Sequence, residues 1–188
     1  MDENTRKRLI AFTSQSLRQQ GIRAVRMDVV AREMNMSKRT LYKVYESKDN
    51  LVNACLDAYA ARIGNLFQLM KCNHPEPLSL LGEVSQAFVQ MLYKADCAFW
   101  SDIAGSYRHI YEAIHNLWCE ELERNLLSCK AECLVIPGLD VAKFTASFMT
   151  VLRQARIMEC PQAMLHDSAY FMLRGILTAE GLQMLKAG

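Results

Sequence analysis

Residues 27–48, MDVVAREMNMSKRTLYKVYESK, decide how the rest of the chain is read. The segment reads as a short helix over about 27–34, a tight polar turn at Asn35-Met36-Ser37, and a second short helix over about 38–44. Two short helices joined by such a turn pack at a large angle, so that one braces while the other is presented. Val30, Ala31 and Met34 supply the apolar side of the first, Met36 fills the turn, and Leu41 with Tyr45 completes the second. Asn35 sits where the chain reverses, and Asn accepts the left-handed conformation better than any residue except Gly. Ser37 is placed to cap the second helix through its hydroxyl.

With Leu41 turned inward, Lys38, Arg39, Thr40, Tyr42 and Lys43 face outward, a donor-rich set suited to the major groove of DNA. Lys38, Arg39, Thr40 and Lys43 are assigned to base edges, since Arg and Lys pair with guanine O6 and N7 and Thr meets a thymine methyl. Tyr42, Lys48 and the amides that open the following helix are assigned to phosphates. Arg26, Met27 and Ser37, at the entrances of the two short helices, complete the expected DNA-contacting set. A lone basic helix face is more often simply solvated. Here the turn, the caps and the charge distribution agree on DNA.

That distribution is uneven. Residues 1–50 hold 11 Lys/Arg against 6 Asp/Glu, whereas residues 51–188 hold 11 against 14, for an overall net charge of +2. A basic head on a mildly acidic body is the footprint of a protein whose head alone meets polyanions.

Further out, helical signals run through the 188 residues and strand alternation is absent, so an all-α fold of about nine helices is expected. Residues 3–20 form an amphipathic helix that Gly21 ends, and Ser47 caps a long helix starting at Lys48. The break at Asn73-His74-Pro75-Glu76-Pro77 is the clearest boundary mark. Helices are then expected over 78–94, from Asp96 to about Gly105, over 106–133, over 140–159 and over 162–186. No apolar run approaches the ~20 residues needed to span a bilayer. The opening MDENTRKRLIAF lacks the apolar stretch of a secretion signal, and seven irregularly spaced cysteines suit a reducing compartment, so a cytoplasmic protein is expected.

The segment from about Leu9 to Leu51 resembles the DNA-binding head of the TetR family of bacterial transcriptional regulators. The resemblance rests on Gly21, Val29-Val30-Ala31, Ser37-Lys38-x-Thr40-Leu41-Tyr42 and Tyr45-x-Ser47-Lys48-x-x-Leu51. Leu17, Arg26, Asn35 and Val44 depart from the family habit of Phe, Thr or Ser, Gly and His, and Arg26 puts a phosphate-binding cation where a hydroxyl cap is usual. The resemblance implies a DNA-binding domain over 1–50 and a helical ligand-binding and dimerisation domain over 51–188. It also implies a homodimer through the last two helices, about 140–159 and 162–186, acting as a repressor on a palindromic operator and released by a small-molecule inducer.

For the inducer pocket the aromatic and flexible side chains Phe67, Phe88, Met91 and Trp100, with Tyr107, Tyr111, His115 and Trp118, are the candidates. Ordinary core is the competing reading for each of them. His115/Cys119 and Cys129/Cys133 share helix faces but do not by themselves make a four-ligand metal site, so no metal and no cofactor is expected. Glu120, Glu121 and Glu123 read as a solvated helix face, and no phosphate loop or catalytic triad is present, so an enzyme is not expected. A helical carrier of apolar small molecules without an operator is the alternative function.

Overall fold

The computed structural model describes residues 2–187, with side chains described through Met184. Among the described residues ten helices follow one another: α1 (Glu3–Gln20), α2 (Met27–Glu33), α3 (Lys38–Tyr45), α4 (Lys48–Asn73), α5 (Pro77–Tyr93), α6 (Cys97–Ser106), α7 (Arg108–Ala131), α8 (Val141–Ile157), α9 (Gln162–Arg174) and α10 (Ala179–Ala187). Among the described residues no helix is long and apolar enough to cross a membrane. The chain divides into two compact units, one of residues up to 63 with 95–114, the other of residues 64–94 with 115 onward.

In the first unit, α1 starts on the Asp2 carboxylate, which accepts from the Thr5 amide at 2.8 Å, and stops at Gly21. Gly21 has φ +81°, a conformation strained for any side chain, and a Cβ there would lie a tight 3.0 Å from the Ala98 Cβ. Leu9, Thr13 and Leu17 bury one stripe of α1, while Leu51, Val52, Cys55 and Leu56 bury the facing stripe of α4. α6 closes this unit: the Asp102 carboxylate, though buried, accepts from the amides of Ile22 and Arg23 at 2.7 and 3.0 Å. The Arg23 guanidinium pairs with its other oxygen at 3.0 Å. α6 thereby holds the link between α1 and α2, satisfying two amides that lie outside both helices.

In the second unit α5 is the central helix, apolar nearly all round, and α8, α9 and α10 pack against it. The sequence predicts one helix over 162–186; the chain instead forms two, raising the count from about nine to ten. Residues 175–178 leave the helix to run beside residues 134–136: the Ile136 amide donates to the Ile176 carbonyl at 2.9 Å, and the Thr178 amide to the Leu134 carbonyl at 3.0 Å. Gly181 in α10 lies against Leu134, whose carbonyl any Cβ would strike.

Glu121 is a second correction. Read as solvated, it is buried, and its carboxylate takes Lys71 at 3.0 Å, Arg124, and the Asn125 amide at 3.2 Å. Three donors around one buried acid are what keeps a charge inside a protein. Burial pushes the thiols of Cys55 and Cys129 up to about 11, which leaves both protonated and inert.

Candidate nucleic-acid interface

The turn between α2 and α3 follows the sequence closely. Asn35 has φ +52°, within the left-handed region that its side chain tolerates. The Met36 amide then donates back to the Ala31 carbonyl at 2.9 Å, closing the end of α2. Ser37 caps α3, its hydroxyl accepting from the Thr40 amide at 3.0 Å. Leu41 is 0% exposed and Tyr45 is also buried, which fixes the rotation of α3 about its axis. Lys38, Arg39, Thr40, Tyr42 and Lys43 are consequently all exposed.

Details within that set distinguish the side chains. The Thr40 hydroxyl shares a 2.8 Å hydrogen bond with Ser37, which leaves its methyl and its remaining hydroxyl sites for a partner. The Lys38 ammonium lies 5.8 Å from the centroid of the Tyr42 ring, a cation–π pair on the outer face. Among the described residues Arg39 and Lys43 have no carboxylate at ion-pair distance.

The flanking candidates are tied in differently. Arg26 grips Asp28 with two nitrogens, at 3.2 and 2.9 Å. Met27 is buried, so what it offers outward is its main-chain amide at the start of α2. Lys48 is half-buried and donates to the Arg23 carbonyl at 3.3 Å. Ser47 accepts from the Asn50 amide at 3.1 Å and so caps α4.

The residues singled out for a small molecule divide between the units. Phe67 and Phe88 meet Trp118 in the second unit, with ring centroids 4.8 and 5.4 Å from the indole. The Trp118 indole N–H is buried and, among the described residues, has no acceptor. Met91 is buried in the same unit, and His115 is half-buried with its Nε2 3.4 Å from the Cys119 sulfur. Burial, with Arg153 adding to it, holds the His115 imidazole below its ordinary pKa. No third His, Cys, Asp or Glu joins this pair into a metal-binding group among the described residues. Trp100, Tyr107 and Tyr111 belong to the first unit. There the Tyr107 hydroxyl donates to Asp49 at 2.5 Å, tying the start of α7 to the start of α4.

A braced pair of short helices with one donor-rich exposed face defines a helix-turn-helix head. Residues 9–55 match the model of the family described as bacterial regulatory proteins, tetR family, so the head is similar to the DNA-binding segment of that family. An uncharacterized HTH-type transcriptional regulator of Bacillus subtilis, YvaF, is 33% identical over 85 residues, 45% of this chain. That match spans 43% of the relative's own length. The fold of the whole chain is that of several solved regulators. A TetR transcriptional regulator from Chloroflexus aurantiacus superposes with a TM-score of 0.75 at 18% identity, covering 93% of this chain and 96% of that one. A TetR transcription regulator from Haloarcula marismortui gives 0.73 at 15%, covering 94% and 100%. A transcriptional-regulator structure from Saccharomonospora viridis, in complex with choline, gives 0.81 at 11%, again covering 94% and 100%.

Proposed function

We propose that this protein is a homodimeric, ligand-responsive repressor of transcription that acts in the cytoplasm on a palindromic operator. One observation carries the reading: Leu41 and Tyr45 are buried and Ser37 caps the helix, so α3 presents Lys38, Arg39, Thr40 and Lys43 together on one exposed face. In this reading residues 1–50 are the DNA-binding domain and residues 51–188 bind the signal and the second copy. Lys38, Arg39 and Lys43 read base edges with the Thr40 methyl, while Tyr42, Lys48, Arg26 and the amides near Met27 and Ser37 hold the phosphates.

Dimerisation through α8 and α9 is supported by large apolar side chains left in solvent there. Val151 is 48% exposed and Met158 71%, seven residues apart on α8 and at its end; Met164 and Phe171, with the same spacing on α9, are 55% and 62% exposed. Side chains of this size on neighbouring helices mark a surface that is covered in use. A two-fold dimer presents two α3 helices to successive major grooves, which is how palindromic binding gains strength.

For the signal, the apolar surroundings of Trp118 and its unused donor N–H support a small-molecule site near Phe67, Phe88 and Met91. The choline bound to the Saccharomonospora viridis protein supports a ligand in a body of this fold. A ligand that favours one spacing of the heads releases the DNA through its different affinity for the two states. Mass measurement of the protein on an operator duplex tests the assembly: two chains per duplex are expected. An unshifted single chain at every DNA concentration favours the carrier instead.

A further inference from the structure

One cavity of the first unit plays no part in the reading above. It lies between α1 and α4 and has a volume of about 360 Å³. Its floor is apolar, made by Ile10 and Ala11 of α1 with Ala54, Ala58 and Tyr59 of α4. Its rim is cationic. Arg6, Lys7, Arg18 and Arg62 all line it, and Glu3 is the one acid among the lining residues. Glu3 is already engaged, 3.6 Å from Lys7.

The three arginines have no such neighbour. Among the described residues none of Arg6, Arg18 and Arg62 has a carboxylate within ion-pair distance. Arg18 is half-buried, and its guanidinium lies 5.8 Å from the centroid of the Tyr59 ring, a cation–π contact that offsets only part of the cost of burial. Burial chiefly, partly offset by Tyr59 and added to by Arg62 of the same cavity, presses the Arg18 guanidinium below its ordinary pKa. A partly desolvated cation beside a second cation is an unfavourable arrangement that an anion between them would relieve. Tyr59, pushed up to about 12 by burial, stays a neutral phenol and supplies no counter-charge.

We propose that this α1–α4 cleft binds a small amphipathic anion, its carboxylate gripped by Arg18 and Arg62 and its apolar body laid on Ile10, Ala54, Ala58 and Tyr59. Guanidinium is suited to the task, since its planar fork meets the two oxygens of a carboxylate. The volume suits a small molecule, and the concave apolar floor is what separates this site from a solvated basic face. Because one wall is α1 and the other is α4, both within the first unit, the bound anion ties α1 to α4. This site differs from the one proposed beside Trp118, whose residues belong to the second unit.

Calorimetric titration of the whole protein with decanoate, and with decanol as the uncharged control, tests the site. Wild type should take one decanoate per chain and bind decanol roughly tenfold or more weakly, the scale of losing a charge-assisted hydrogen bond. The double change Arg18→Gln/Arg62→Gln should weaken decanoate binding by roughly tenfold or more. Ala58→Phe, which fills the floor, should abolish it. Circular dichroism checks that each variant keeps its helices. Arg62→Gln and Ala58→Phe carry the test if the double variant does not fold, since Arg62 is exposed. The proposal is overturned if wild type binds no decanoate, if decanol binds as well, or if Arg62→Gln and Ala58→Phe leave binding unchanged. It also falls if the arginine changes spare decanoate but weaken binding to every duplex alike, since the cations would then be phosphate contacts.

Discussion

The carboxylate of Asp102 on α6 accepts from the main-chain amide of Ile22 at 2.7 Å, across 80 residues of sequence. This bond, with the Arg23 amide and guanidinium on the same side chain, holds the link that leads from α1 into the helix-turn-helix. Position 102 is where the head is fastened to a helix outside its own sequence.

Asp102→Ala leaves the buried Ile22 amide unpaired and frees the Arg23 side chain. Unfolding in urea should show a loss of about 2–4 kcal/mol, the scale of orphaning a buried donor and a charge-assisted bond. A loss below about 0.5 kcal/mol, the scale of an ordinary surface change, would mean that water replaces the carboxylate there.

Arg39 and Lys48 should respond differently to removal. Arg39→Ala should relax base preference at one position of each half-site, at a cost of about 1–3 kcal/mol on the preferred base. Lys48→Ala should weaken all duplexes alike and lower the salt slope by about one. Binding to a panel of single-base variants at several salt concentrations separates the two. Uniform weakening by both changes would remove base reading from Arg39.

Phe171 is 62% exposed on α9. Phe171→Glu puts a charge at the centre of the proposed dimer surface, where an unpaired desolvated charge is strongly disfavoured. Sedimentation should find a folded monomer whose operator affinity has fallen with the loss of the second head. A dimer as tight as wild type would place the interface elsewhere.

His115 makes stability depend on pH. Its folded pKa lies below the ordinary 6.5, chiefly through burial, so the unfolded chain takes up the proton first. The stabilisation from neutral His115 is therefore full above about 6.5 and is lost as pH falls through the lowered folded value. Melting temperature measured between pH 7.5 and 5 should fall less steeply in His115→Gln than in wild type. Parallel curves would show that His115 meets the same surroundings folded and unfolded.

The head was legible because its signals are local. Asn35, Ser37 and Leu41 each state a turn, a cap or an inward face within four residues, and all three behave as their chemistry requires. Asp102 and Glu121 were not legible, because the partners that justify burying them lie far along the chain: Ile22 for the first, Lys71 for the second. The end of α9 escaped for a related reason. Residues 176–178 keep a helical apolar pattern, but backbone bonds to 134–136 satisfy their polar groups better than another helical turn. Gly181 was the available hint, a residue without a side chain where the Leu134 carbonyl allows none. The aromatic residues chosen for the inducer show what composition alone does: Phe67, Phe88 and Trp118 meet, whereas Trp100, Tyr107 and Tyr111 belong to the other unit.

The central claim is that α3 reads sequence. Titration of the protein against genomic fragments and a random-sequence duplex, at one physiological salt concentration, measures this directly. Some fragment should bind about a thousandfold or more tightly than the random duplex, the lower bound of specific recognition, and protect two half-sites about one helical turn apart. Equal affinity for all fragments, varying only with salt, would contradict it.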